Sequence, residues 1–342
     1  MTPLLVARRS ALGLAVGLAL SACTGGGSPS TAGSAPPSPA PAASAPPSAP
    51  STPSTPSTPG TTGATPSTPG ATPTGAPSDT LFGAAYRVTR QEPAPLALER
   101  TDERLGRLDV VRVFNDGAPP PWPGKAPGRN VVVSFKLDPA GVTAGQFDDE
   151  VRDWFRAAPQ DLDVHWSYYH EPEDDIEDGR FTAEQYRAAF VHLARLADEA
   201  AGPRTRSALI LQSYTTRPAS GRDWRDYYPG DEAVDVFAWD VYNRPERAGG
   251  YTAPAELMGE QVEISRSVGK PFAVAELGSV LAPGDAGEGR AQWLREVGDY
   301  LKAQDAVFVT YFDLAFDGGR SDYRLLDEPS LQAWRDVTGS AS

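Results

Sequence analysis

Eight apolar runs with strand character recur between helical patterns: Leu81 to Tyr86, Val110 to Phe114, Val131 to Phe135, Val164 to Tyr169, Ala208 to Ser213, Val234 to Trp239, Phe272 to Ala275 and Val307 to Phe312. Each is too uniformly apolar to leave one face wet, so both faces need cover, as in a parallel sheet wrapped by helices. The intervening stretches supply those helices. Phe147, Val151, Trp154 and Phe155 fall on one helical stripe behind a Thr143-x-x-Gln146 capping box. Tyr186, Phe190, Leu193 and Ala197 form a second behind Thr182-x-x-Gln185, and Leu294, Val297 and Leu301 a third. Strands alternating with amphipathic helices over about 250 residues predict an α/β fold, a (β/α)8 TIM barrel spanning residues 80–338. An open doubly wound sheet would carry a Gly-rich phosphate loop after its first strand, where Tyr86-Arg87-Val88-Thr89 stands instead. Between Phe114 and Val131 the run Asn115-Asp116-Gly117-Ala118-Pro119-Pro120-Pro121-Trp122-Pro123-Gly124 cannot form a normal helix, so the second barrel helix is expected to be irregular or missing.

The chain before the barrel has a different composition. Residues 1–22 read as an export signal: Arg8 and Arg9 form the basic region, and Ala11 to Leu20 is too short to span a bilayer. Leu20-Ser21-Ala22-Cys23 looks like a bacterial lipobox, and Cys23 is the single cysteine of the chain, so Cys23 is the expected lipid attachment site. The adjacent arginines are also compatible with twin-arginine export, and without the lipid the protein would be secreted. Residues 23–79 are almost wholly Ser, Thr, Pro, Ala and Gly, which cannot offset their ordering entropy by burial. Such a tether reaches roughly 40 Å as a flexible coil and about 170 Å as a polyproline-like spacer. The expected location is the outer face of the cell membrane.

The whole chain carries −14; because Arg8 and Arg9 are the only charged residues before Asp79, residues 79–342 carry −16. Nucleic acid and acidic polymers are therefore poor partners. No cofactor is expected, and a monomer is.

Two glutamates fall at predicted C-terminal strand ends, where ligands of such barrels bind. Glu171 follows the fourth run in His170-Glu171-Pro172, where the proline ends the strand, and Glu276 follows the seventh in Ala275-Glu276-Leu277-Gly278. Strands four and seven stand across the mouth from each other, so the two carboxyl groups can flank one bond. Retaining glycosidases need this arrangement, with the groups roughly 5 to 5.5 Å apart.

At these residues the sequence resembles glycoside hydrolase family 26, barrel enzymes that include β-mannanases. A third match is Trp224-Arg225-Asp226-Tyr227-Tyr228-Pro229-Gly230 leading to Trp239-Asp240-Val241-Tyr242-Asn243, similar to the family's loop into strand six, whose tyrosine borders the nucleophile. The resemblance implies that Glu171 is the acid/base and Glu276 the nucleophile of a retaining hydrolase acting on a neutral β-linked polysaccharide, with β-mannan the leading candidate. Pro172-Glu173-Asp174-Asp175 stands where the mannanases have a Met-Asn and aromatic stretch, so the carboxylate pair is implied more directly than the sugar. A glycan-binding surface lipoprotein on the same barrel, catalytically weak or silent, is the alternative.

The mechanism requires Glu171 protonated by its surroundings and Glu276 ionised, with hydrogen bonds from groups such as Tyr242. His170 reads as a hydrogen-bonding residue for the sugar or a carboxylate. Zinc is not expected, because Asp174 occupies the position of the second histidine in His-Glu-x-x-His. Strict alternation would send His170 and Glu171 to opposite faces, so the strand must bulge or end there. Arg112, a cation inside an apolar strand, must pair with something buried, and a site carboxylate is the candidate. Tyr242 and Tyr214 are candidate sugar contacts, and Trp122, Trp224 and Trp239 are further aromatics near strand ends, with Trp239 expected against helices. The acidic segment from Glu173 to Asp178 reads as a solvated loop, since Ile176 breaks the calcium-loop pattern.

Overall fold

The computed structural model describes residues 80–88, 92–316 and 321–339. The expected export signal, Cys23 and the linker lie outside them. Eight strands, β1 (Leu81–Ala85), β2 (Val110–Asn115), β3 (Asn130–Phe135), β4 (Val164–Tyr168), β5 (Thr205–Gln212), β6 (Val236–Asn243), β7 (Phe272–Ser279) and β8 (Phe308–Phe312), pair in parallel and in chain order, and β8 closes on β1. This is the (β/α)8 barrel the apolar runs predicted.

The helices are α1 (Ala94–Leu105), α2 (Pro139–Thr143), α3 (Asp148–Arg156), α4 (Glu173–Glu177), α5 (Ala183–Ala200), α6 (Pro245–Ala248), α7 (Pro254–Ser267), α8 (Glu288–Ala303) and α9 (Glu328–Val337). A short pair, β9 (Ala315–Phe316) and β10 (Ser321–Asp322), follows β8. Between β2 and β3 there is no helix. The proline-rich segment covers the strands instead, with Trp122 stacked on Trp154 at 4.8 Å and its indole N–H donating to the Trp154 carbonyl at 2.9 Å.

The Thr182 capping box forms as expected, with both reciprocal bonds to Gln185. The Thr143 box does not. Asp138 and Pro139 start a helix five residues earlier, because an Asp cap followed by proline is the stronger start signal, and Thr143 closes that helix with its hydroxyl on the Pro139 carbonyl. Helix α3 then begins without a side-chain cap, but Asp148, Asp149 and Glu150 in its first turn complement the helix dipole.

The outer core lies between strands and helices and holds the predicted stripe residues Val151, Trp154, Phe155, Tyr186, Phe190, Leu193, Leu294, Val297 and Leu301. The inner core is small. Val110, Val132, Ala208, Ile210, Val236, Ala238, Ala273, Ala275 and Phe308 fill the barrel floor. Gly83 belongs to the same economy of space, since a Cβ there would fall 1.6 Å from the Val110 carbonyl oxygen of the neighbouring strand. Such small neighbours leave room for polar side chains inside the barrel.

Two strands run further than their apolar character predicted. Strand β6 continues through Asp240 and Tyr242 to Asn243, and β7 through Glu276 to Ser279. Alternation explains the first: Val241 packs outward while Asp240 and Tyr242 face inward, so polar residues continue a strand whose inner face has reached the mouth.

Candidate active site

Glu276 is inside β7 rather than beyond its end, and a bulge aims it. Trp239 pairs with Val274 and Asp240 with Glu276, so one extra residue, Ala275, stands on β7. Ala273 and Ala275 lie in the inner core and Val274 and Leu277 in the outer core. Without the extra residue Glu276 would alternate outward; with it, Glu276 follows Ala275 into the barrel. The Thr310 hydroxyl donates to the Ala275 carbonyl at the bulge.

Glu171 reaches the mouth by another route. Strand β4 ends at Tyr168, and Tyr169 and Glu171 then adopt left-handed backbone, with φ of 51° and 49°. Each costs an L-residue about 1 to 2 kcal/mol. The turn is held by the Tyr169 amide on the Phe135 carbonyl at 2.9 Å and the Glu171 amide on the Ile210 carbonyl at 3.1 Å. Regular alternation is thereby lost: Tyr169 packs outward on Phe181, while His170 turns to Phe114 with ring centroids 5.4 Å apart.

The carboxyl groups meet unlike surroundings. One Glu276 oxygen accepts from the Tyr242 hydroxyl at 2.6 Å and the other from Arg112 at 3.3 Å. Arg112 is fully buried, crosses from β2 with a second bond to the Ser134 hydroxyl at 2.6 Å, and lies 4.2 Å from the Phe114 ring centre. Burial raises the Glu276 carboxyl, and the charge of Arg112 and the hydrogen bonds from Tyr242 and Arg112 oppose that rise. For Glu171, burial pushes the carboxyl well above its ordinary range, and the charges of Glu276 and Glu173 push it further. Glu276 therefore ionises first, and its charge keeps the proton on Glu171. An ionised carboxylate and a protonated acid in one mouth can serve as nucleophile and proton donor.

His170 is neutral in this setting: burial, then the charges of Arg112 and Lys136, hold its imidazole well below its ordinary range. Its Nδ1 is buried without a hydrogen-bond partner. Tyr242 joins the site directly, whereas Tyr214 stands half-exposed behind β5 with its hydroxyl on the Ala219 carbonyl at 3.3 Å, and no described contact links it to either glutamate. The tryptophans pack: Trp224 on Phe237, and Trp239 on Phe237 with its indole N–H on the Ser265 hydroxyl at 3.2 Å.

Three residues enter that were not among the candidate site residues of the sequence. Asp240, paired with Glu276 across β6 and β7, has both oxygens buried without a partner, and burial followed by the charges of Glu276 and Glu171 raises it well above its ordinary range. Its inward parity after Ala238 was the available signal. Lys136, just after β3, lies 4.6 Å from the Tyr169 ring centre and 3.6 Å from Asp175. Glu173 is the third. The acidic segment forms the short helix α4 rather than a loop; Asp174, Glu177 and Asp178 stay exposed as expected, while Arg222 binds Asp174 and Glu177, Arg180 binds Asp175 at 2.7 Å, and Glu173 is fully buried.

With this geometry in view, solved structures show the same architecture. A glucosidase from Croceicoccus marinus matches with a TM-score of 0.53 at 14% identity, covering 77% of this chain and 68% of its own. A modular endo-β-1,4-mannanase of glycoside hydrolase family 26 from Cellulomonas fimi matches with a TM-score of 0.51 at 17% identity, over 75% of this chain and 70% of that one. A family 26 β-mannanase from Bacteroides ovatus gives 0.51 at 13% identity, over 77% and 89%. At these identities the likeness establishes the barrel fold. No protein-family model matches the chain. No curated protein matches it in sequence.

Proposed function

We propose that this chain is a retaining glycoside hydrolase acting on a neutral β-linked polysaccharide, with β-mannan the leading substrate, and that it is held at the outer face of the cell membrane through lipid on Cys23. The observation that carries the reading is the contrast between the two glutamates: Glu276 rests on Tyr242 and Arg112, while desolvation and the Glu276 charge push Glu171 toward its protonated form.

In the first step a Glu276 oxygen attacks the anomeric carbon, the glycosidic carbon–oxygen bond breaks, and the Glu171 proton passes to the leaving oxygen. A glycosyl ester on Glu276 remains. Glu171, now ionised, takes a proton from water, whose oxygen attacks the same carbon and frees Glu276. Tyr242 and Arg112 hold the nucleophile in place and stabilise it when the ester breaks. His170 offers its unpartnered ring nitrogen to a sugar hydroxyl.

A 2-deoxy-2-fluoro β-mannoside with an activated leaving group should label Glu276 covalently, as read by peptide mass, and Glu276→Gln should abolish both labelling and turnover. Wild-type turnover in that variant would refute the assignment. Binding of manno-oligosaccharides without label or turnover would identify the glycan-binding alternative. The anchor is read separately, as added acyl mass on the Cys23 peptide of protein extracted from membranes.

A further inference from the structure

Glu173 opens α4 two residues beyond Glu171, and its two oxygens are used unequally. Oε1 accepts from the Gln212 backbone N–H at 2.8 Å and from the Thr215 hydroxyl at 2.7 Å, while Oε2 is buried with no partner. The Oε1 bonds tie the chain after β4 to the end of β5 and the turn behind it. Glu171, in its left-handed conformation, thus sits between two attachments to β5: its own amide on Ile210 and the side chain of Glu173. A proton can come and go on Oε2 without disturbing either bond at Oε1.

Several charged and titratable groups face this pair. Glu276 on β7, Asp240 on β6 and Lys136 behind β3 act on Glu171, together with Asp174 of α4. Tyr186 on α5, Tyr227 before β6 and Arg222 behind β5 act with Glu173. Arg222 is shared with Asp174 and Glu177, so its charge offsets that of Glu173 only in part.

Building on the reading of Glu171 as the acid/base, we propose that Glu173 is a positioning residue: Oε1 fixes the Glu171 backbone in both protonation states, and negative charge on Oε2 holds the proton on Glu171 as pH rises. Burial sets the Glu173 carboxyl at about 7. Its charge therefore develops over the pH range in which Glu171 must resist deprotonation. The chain carries this second acid where the mannanases it resembles have a different stretch, so the effect is a property of this sequence.

The test is a carboxyl-carbon NMR titration of the protein labelled at glutamate, following Glu171 and Glu173 in the wild type and in Glu173→Gln. The glutamine keeps an acceptor at Oε1 and removes the charge. The expected result is a Glu173 midpoint near neutrality, and a Glu171 midpoint lowered in the variant by about half a pH unit or more. The basic limb of kcat/KM should move down by the same amount. A Glu173 midpoint below about 5.5 in the wild type, or an unmoved Glu171 midpoint in folded Glu173→Gln, would overturn the proposal. Should that variant fail to fold, Thr215→Val removes one donor from Oε1 and should raise the Glu173 midpoint; no change there overturns it too. The titration needs no turnover, so a protein that shows the coupling but cleaves no glycoside refutes the enzyme reading and leaves this one standing.

Discussion

Two donors, Tyr242 on β6 and Arg112 across the barrel, oppose the effect of burial on the Glu276 carboxyl and favour its ionised form. A hydrogen bond to a charged group contributes about 1.5 to 3 kcal/mol, so Tyr242→Phe, which keeps the ring and loses the donor, should lower kcat roughly 10- to 100-fold. The loss also favours the neutral carboxyl, so the acidic limb of the pH–activity profile should move to higher pH. An acidic limb that stays in place would show that Tyr242 does not act on the Glu276 charge. Arg112 is less informative as a target: removing one partner of a buried ion pair costs about 3 to 5 kcal/mol, and stability would fall along with activity.

Strand β7 carries the geometry of the site as an element. Its bulge turns Glu276 inward, and its Gly278 clears the space that Tyr242 occupies. A Cβ at Gly278 would lie 2.7 Å from the Tyr242 ring and 2.9 Å from the Tyr323 ring. Gly278→Ala should therefore fold, because the obstructing atoms belong to mouth side chains rather than backbone, yet push Tyr242 off Glu276. The expected outcome is an activity loss comparable to that of Tyr242→Phe, with a near-native circular dichroism spectrum; full activity would show that Tyr242 can shift without consequence. Helix α4 plays the matching part opposite, holding Glu171 in a conformation that its own backbone disfavours.

For the molecule as a whole, burying several carboxyl groups in one barrel makes stability depend on pH in a set direction. Burial raises Glu171, Asp240 and Glu173, the last to about 7 from an ordinary 4.5. Between those two values the folded protein binds more protons than the unfolded chain, so this contribution is complete below about 4.5 and is lost as pH rises through 7. Asp285 works the other way. Burial raises it, but the Tyr251 hydroxyl and the amides of Gly287, Gly289 and Arg290 outweigh burial and hold it at about 2, so its contribution is lost as pH falls from 3.8 toward that value. Thermal melting should therefore be highest in mildly acidic buffer and decline toward pH 8, and Glu173→Gln should flatten the decline. A melting temperature that rises steadily from pH 5 to 8 would contradict this reading of the buried carboxyls.

The barrel, the missing second helix, the outer-core stripes of α3, α5 and α8 and the inward parity of Tyr242 were legible in the chain. Each depends on spacing over a few residues: apolar runs covered on both faces, a 3.6-residue period, a proline where a helix would lose a donor. The carboxylates Glu171 and Glu276 were legible as positions because each follows an apolar run. Their orientation was not. The extra residue at Ala275 exists only as a register difference against β6 and β8, and the left-handed turns at Tyr169 and Glu171 only as backbone held by β3 and β5. The Thr143 box failed where a stronger cap at Asp138 competed, and the helical form of the acidic segment was not legible because Arg222, 48 residues from Asp174, supplies its countercharge. Local pattern alone determined the fold and the approximate seats of the two glutamates. The tertiary structure decided which way Glu276 faces, that it is the site carboxylate Arg112 pairs with, and that Asp240 and Glu173 are buried acids, because strand register and cross-barrel pairing are set by partners far away in sequence.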